Sequence, residues 1–246
     1  MIKTLSLIAL SLTVMVSFTQ ITNAKHHKKD EGFVSLFDGK SLKGWDGDPK
    51  FWSVEEGAIT GITTKETPTK GNTFIIFNGK DDKPDDFADF DLQFEYRIMA
   101  GNSGVQYRSF RRSEKPDKWR IGGYQGDFEA GDRFTGIVYG EGFRGILCNR
   151  GDKTTLSGEK GKPDKKVEKF GDSKEIGKAV KKKDWNSFRV VAKGYTFTQW
   201  INGVKTAELI DNHKDHRDKG WLAFQLHAGP PMKVQFRNVR IKELKK

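Results

Sequence analysis

Cysteine is nearly absent: Cys148 stands alone among 246 residues, so no intrachain disulfide can form and packing has to hold the fold. Its neighbours Ile146 and Leu147 mark it as a buried strand thiol, and only Arg150 lies near enough in sequence to activate it. Long apolar runs are missing after Phe18, which leaves no later segment able to span a membrane as a helix. Helical periodicity is missing as well, apart from Lys174–Lys181 behind the capping residues Asp172 and Ser173. No internal repeat appears.

What is present begins with an export signal. Met1-Ile2-Lys3 is a basic start, Leu5 to Phe18 is apolar apart from Ser and Thr, and Thr22-Asn23-Ala24 offers small residues to a signal peptidase. Residues 1–24 are therefore expected to be a cleaved signal peptide and residues 25–32 a flexible basic tether. Residues 33–246 are expected to form one β-sandwich domain, exported to the periplasm or beyond the cell. Net charge is +11, falling to +10 once Lys3 is removed. Residues 160–183 supply ten Lys against Asp164, Glu168, Asp172 and Glu175, which is +6 of that total. Aromatic residues do not alternate with those lysines as single-strand binding requires, so no nucleic-acid partner is expected. The segment reads as a solvated loop with the short helix.

β signals dominate the rest. Phe33–Phe37, Trp52–Val54, Ala58–Gly61, Thr73–Phe77, Phe90–Ile98 and Val105–Ser109 read as strands. So do Gly136–Tyr139, Arg144–Cys148, Ser187–Ala192, Thr196–Ile201, Gly220–Leu226 and Val234–Ile241. Turn pairs separate them, Asn202-Gly203 being the strongest hairpin signal. Many strands with regular turns predict an all-β, two-sheet jelly-roll sandwich with one short helix in an insertion. Residues 110–120 and 150–183 read as long polar loops at the rim.

Several motif matches fail on chemistry. Gly140-Glu-Gly-Phe-Arg-Gly145 has the letters of a dinucleotide fingerprint, but a strand follows it and no helix N-terminus is there to receive a phosphate. Gly158-Glu-Lys-Gly-Lys162 is followed by Pro163 where a phosphate loop needs Ser or Thr. His213-Lys-Asp-His216 sits in a charged turn without a third ligand nearby.

The strongest functional signal is a set of polar rows. In Asp91–Ile98, Leu92, Phe94, Tyr96 and Ile98 alternate with Gln93, Glu95 and Arg97. A strand has a side-chain period of two, so one set faces the core and the other lines a second surface. Gln106/Arg108, Gln125/Asp127 and Gln225/His227 repeat the pattern. Rows of Gln, Arg, Glu and His, rather than Thr, Lys and Ser, predict a lined cleft.

Ser35-Leu-Phe-Asp-Gly-Lys-Ser-Leu-Lys-Gly-Trp45, Trp52-Ser-Val-Glu-Glu-Gly-Ala-Ile59, Phe94-Glu-Tyr-Arg97 and Gly101-Asn-Ser-Gly-Val-Gln-Tyr-Arg108 together resemble the 3-keto-disaccharide hydrolase family. Gly123-Tyr-Gln125, Trp185-Asn186, Gln225-Leu-His227 and Val234–Ile241 continue the likeness, which runs from Phe33 to Leu244. The resemblance implies a concanavalin A-like jelly roll with a sugar-binding face. It also implies action on glycosides oxidised at the sugar C3, as a lyase that opens the glycosidic bond or a hydratase of the 2-hydroxyglucal product. The Glu-x-Asp-x-x-Glu strand of retaining glucanases is missing, which argues against a conventional glycosidase.

A C3 ketone acidifies the C2 hydrogen, so elimination needs a base, donors for the enolate oxygen and an acid for the leaving oxygen. On this basis His227 or Glu95 is expected as base, Arg108 with Gln125 as oxyanion donors, and Asp127 or Glu141 as acid. Arg97, Asn102, Gln106, Tyr139 and Gln225 are expected to orient hydroxyls, with Tyr124 or Trp200 stacking on the ring. Each has a structural rival, most directly a Glu95–Arg97 charge ladder and core packing of Trp200. The expected partner is an oxidised or ordinary glycan. A divalent ion such as calcium would aid the enolate, although no ligand spacing fixes a site. A carbohydrate-binding module without turnover is the alternative function.

Overall fold

A computed structural model of the protein describes residues 32–79, 84–112 and 117–245. The expected signal peptide and nearly all of the tether lie outside the described residues. Strands are numbered in chain order. One sheet runs β12 (Asp164–Lys169), β11 (Asp152–Ser157), β15 (Val204–Asp211), β14 (Thr196–Ile201), β13 (Asn186–Lys193), β6 (Phe90–Ala100), β17 (Lys233–Glu243), β4 (Ala58–Ile62) and β3 (Trp52–Glu55). β1 (Val34–Ser35) adds to β17, making ten strands. The facing sheet has seven: β10 (Gly145–Cys148), β9 (Val138–Glu141), β8 (Ile121–Glu129), β7 (Asn102–Arg111), β16 (Trp221–Leu226), β5 (Thr73–Phe77) and β2 (Trp45–Asp46). The molecule is the expected all-β jelly-roll sandwich.

Alternation builds the core. Leu92, Phe94, Tyr96 and Ile98 of β6 meet Phe128, Phe188, Phe224 and Phe236, with Phe224 stacked on Phe236 at 3.9 Å between centroids. Asn202 and Gly203 both take positive φ, 49° and 80°, the geometry that joins β14 to β15 in a two-residue hairpin. Gly142 to Arg144 form the turn between β9 and β10, so the glycine-rich segment there is a hairpin. Cys148 is buried between the carbonyls of Asp152 and Glu208, and burial pushes its thiol pKa up.

The lysine-rich insertion differs from the expected loop. Asp152, Thr154 and Leu156 alternate inward on β11, which pairs with β15 and carries β12 as an exposed edge strand. Its lysines blunt an edge that would otherwise invite strand pairing. The helix covers Ser173–Gly177, with Asp172 accepting from the Lys174 and Glu175 amides at 2.8 and 3.0 Å. It ends short of the expected Lys181. No helix among the described residues is long and apolar enough to cross a membrane.

Candidate active site

The outward face of the seven-stranded sheet carries the site. Core residues Tyr107, Tyr124, Val138 and Phe224 fix the inward parity, so Gln106, Gln125, Asp127, Tyr139, Glu141 and Gln225 turn the other way. These side chains face away from the core yet are largely removed from solvent: Gln106 and Gln225 are 0% exposed and Asp127 5%. Buried polar groups need partners. Here they find one another.

Gln106 Nε2 donates to Gln125 Oε1, and Gln125 Nε2 donates to Asp127 Oδ1 at 2.5 Å and to Gln225 Oε1 at 3.4 Å. Gln225 Nε2 continues the chain to Glu141 Oε2 at 3.3 Å, and Ser109 Oγ donates to Gln106 Oε1 at 3.0 Å. Two carboxylates are thus joined through a run of amides. Gly104 makes room for it: a Cβ there would lie 2.6 Å from Gln125 Cγ, so only glycine lets the amide lie across β7 towards Gln225.

Electrostatics distinguishes the two acids. Burial pushes the Asp127 carboxyl up to about 7, and the charges of Glu141 and Glu129 push the same way, against hydrogen bonds from Gln125 and Asn102. A carboxyl with such a pKa exchanges protons near neutrality. Glu141 is paired instead with Arg112 at 3.5 Å and with Asn72 Nδ2 at 3.3 Å. The Tyr139 phenol is raised by burial and by Glu141 and Asp127, so it remains a proton donor. His227 follows β16 on the same parity, half-buried, with Nδ1 2.5 Å from Ala228 O. A carbonyl only accepts, so Nδ1 carries the hydrogen and a neutral ring would keep its lone pair on Nε2. The Ala228 amide donates to Asn72 Oδ1, placing His227 at the margin of the network.

Gln125, Asp127, Glu141, Asn102, Gln106, Tyr139, Gln225 and His227 therefore share one face. Five other expected residues do not. Glu95 and Arg97 lie on the outer face of the ten-stranded sheet, Glu95 bonded to Arg237 at 2.7 Å and Arg97 to Gln235 and Glu56. Trp200 is there too, with Arg189 over its ring. Tyr124 points into the core, and its hydroxyl donates to Asp211, a carboxylate also paired with Arg144. Arg108 is buried at the end of the sandwich, bonded to Ala88 O, Gly194 O, Arg217 O and Asp89. Asn72, Ser109 and Arg112 escaped the sequence reading. Among the described residues no group of three or more His, Cys, Asp or Glu is placed to hold a metal ion, and the His213–His216 segment is a turn in which the Asp215 amide donates to His213 Nδ1.

The model of the 3-keto-alpha-glucoside-1,2-lyase-like domain matches residues 32–242. The chain belongs to this family. A 3-keto-disaccharide hydrolase of Bacteroides thetaiotaomicron is 32% identical over 85 residues, 31% of this chain and 27% of that protein. The matched stretch thus spans about a quarter of the curated relative. Among solved structures, a Parabacteroides distasonis protein provisionally assigned as a glycosyl hydrolase superposes with a TM-score of 0.53 at 22% identity, covering 89% of this chain and 97% of its own. A Bacillus subtilis protein of unknown function with a galectin-like fold gives 0.50 at 11% identity, covering 82% and 90%. These two likenesses concern the fold.

Proposed function

We infer that the protein cleaves 3-keto-glycosides by elimination across C1–C2 and hydrates the 2-hydroxyglucal that results, with Asp127 as the group that moves the C2 proton. The carrying observation is a buried carboxyl with a pKa of about 7, set in an amide network beside a second carboxylate. Family membership and the name of the Bacteroides relative support a keto-sugar substrate.

In the elimination the Asp127 carboxylate takes the C2 hydrogen and the C2–H electrons form the enolate of the C3 ketone. The enolate then collapses to the C1–C2 double bond and the C3 ketone as the C1–O bond breaks, and the leaving oxygen takes a proton from water, which is restored to solvent when a water adds its oxygen to C1. Amide donors of the Gln106–Gln125–Gln225 run and the Tyr139 phenol stand on the same face to meet the developing negative charge. In the hydration, water adds its oxygen to C1 and protonated Asp127 returns hydrogen to C2. The net change is hydrolysis. Glu141, held by Arg112, supports the protonation of the leaving oxygen, and His227 is the second proton-transfer group at the margin.

The test is incubation with a 3-keto-glucoside in deuterated water. Cleavage with deuterium at C2 is expected, and glycan binding without cleavage or exchange would reject the reading. The pH dependence has a definite sign. Asp127 accepts a proton only when ionised, so kcat/KM for elimination should rise with pH to a midpoint near 7 and fall about tenfold per unit below it. Export is part of the same reading, resting on residues 1–24; the secreted chain should begin at Lys25, which intact-mass measurement checks.

A further inference from the structure

The lysine-rich insertion encloses a hollow dominated by one sign of charge. The loop after β8 faces α1 across a cavity of 680 Å³. Arg133, Arg150, Lys174, Lys178 and Lys182 line it against one carboxylate, Asp132. A second hollow of 720 Å³ shares Arg133 and Arg150 and is reached by Lys169 at the end of β12. The amide and carboxylate network of the seven-stranded sheet lines neither.

Several of these cations are left without a counter-charge. Lys178 Nζ pairs with Glu175 at 2.7 Å and Lys182 Nζ with Asp132 at 3.1 Å. Arg150 binds carbonyls instead: Nε donates to Ser173 O at 2.8 Å, Nη1 to Thr135 O at 2.7 Å and Nη2 to Asp132 O at 3.0 Å. Those bonds fix the guanidinium and leave its charge whole. Arg133 lies over the Phe134 ring, and neither it nor Lys174 joins an ion pair among the described residues. The nearby Glu129 Oε1 is turned to the Arg133 and Phe134 amides, at 2.6 and 2.9 Å. In the second hollow Asp152 accepts from Asn149 Nδ2, and Asp172 caps α1. Three positive charges thus meet in a recess, where low-dielectric walls concentrate their field.

Size and lining narrow the occupant. A cavity of this volume holds an organic molecule and is far larger than one oxyanion fills. Val180 and the lysine stems set apolar surface beside the charges. No aromatic ring lines either hollow, so nucleotide bases have nothing to stack on. A recess also suits a chain laid into it better than the flat headgroup layer of a membrane.

We propose that this recess is a docking site for an acidic polysaccharide, whose carboxylates or sulfates are held by Arg133, Arg150 and Lys174. Docking there is independent of the reaction assigned to Asp127. It anchors the protein to a charged matrix while the sheet face that carries Asp127 stays free.

Affinity electrophoresis of the full chain through gels containing polygalacturonate, dextran sulfate or neutral dextran tests this. Retardation by a polyanion and none by dextran is expected, weakening as salt is raised. The stronger of the two polyanions tells carboxylate from sulfate recognition. Arg133→Gln/Lys174→Gln should raise Kd about tenfold or more, whereas Lys40→Gln/Lys65→Gln, with the same loss of charge at exposed positions elsewhere, should change it by less than about twofold. Arg133 and Lys174 are themselves exposed, and circular dichroism identifies a variant that has merely unfolded. Equal losses in the two double variants would mean that net charge alone holds the polymer, and they overturn the proposal, as does no retardation by either polyanion. Co-sedimentation with phosphatidylglycerol vesicles is the last arm: vesicle binding that exceeds polysaccharide binding and is lost in Arg133→Gln/Lys174→Gln gives the recess to a membrane and rejects the polysaccharide.

Discussion

Replacing Asp127 by asparagine is expected to lower kcat for elimination by about 10²–10⁴-fold, the range for a positioned proton-transfer group, and at the same time to make the protein more stable at pH 8. Both effects follow from the same burial. The folded-state pKa of Asp127 is raised from 3.8 to about 7, so the folded protein holds this proton more tightly than the unfolded chain does. Stability associated with the group is fully present below pH 4 and is lost progressively as pH rises towards 7. The gap corresponds to roughly 4 kcal/mol. Asparagine keeps an oxygen to accept from Gln125 Nε2 and never ionises, so it escapes that loss. A Tm several degrees above wild type at pH 8, with the difference vanishing near pH 4, checks the stability half. Activity retained within a few-fold would move the proton transfer elsewhere, with His227 the next candidate. Equal stability at pH 8 would mean that Asp127 is not strained by its surroundings.

Strand alternation made much of this site legible. Gln106, Gln125, Asp127 and Gln225 could be placed on a shared polar surface because their neighbours Val105, Tyr107, Phe128 and Phe224 are unambiguous core residues. Period two separates inside from outside, but it does not say which sheet a strand joins. Glu95, Arg97 and Trp200 are outward residues of the ten-stranded sheet, and nothing in their spacing distinguished them from the outward residues of the other. Tyr124 is different: with Gln125 and Asp127 outward, its neighbour position already pointed to the core. Arg112 borders residues 113–116, where polar composition suggested only a rim loop. Asn72 precedes β5, and no alternation extends to it.

Arg108 failed for a physical reason that leads to the second large effect. Between Tyr107 and Phe110 the pairing of β7 with β8 shifts, so Arg108 and Ser109 together oppose Gly123. Such a bulge reverses the parity of whatever follows it. Arg108 takes φ 45°, leaving Ser109 to face the network while the guanidinium turns to the end of the sandwich. There it is 1% exposed, lies over Phe197 and binds three backbone carbonyls and Asp89, joining segments near residues 88, 194 and 217. Burial lowers its pKa, against the charge of Asp89. Replacing it with methionine is expected to cost about 3–5 kcal/mol, because the carboxylate and the carbonyls stay buried without donors. Chemical denaturation should show that loss, whereas kcat of the folded variant at low temperature should stay within a few-fold of wild type. A collapse of kcat in a variant that melts normally would return Arg108 to the reaction. Asp89→Asn offers a gentler check should the methionine variant not fold, since it removes the negative charge beside the guanidinium while an accepting oxygen and the carbonyl bonds stay in place. It should lower stability by less, in the same direction, again without touching turnover.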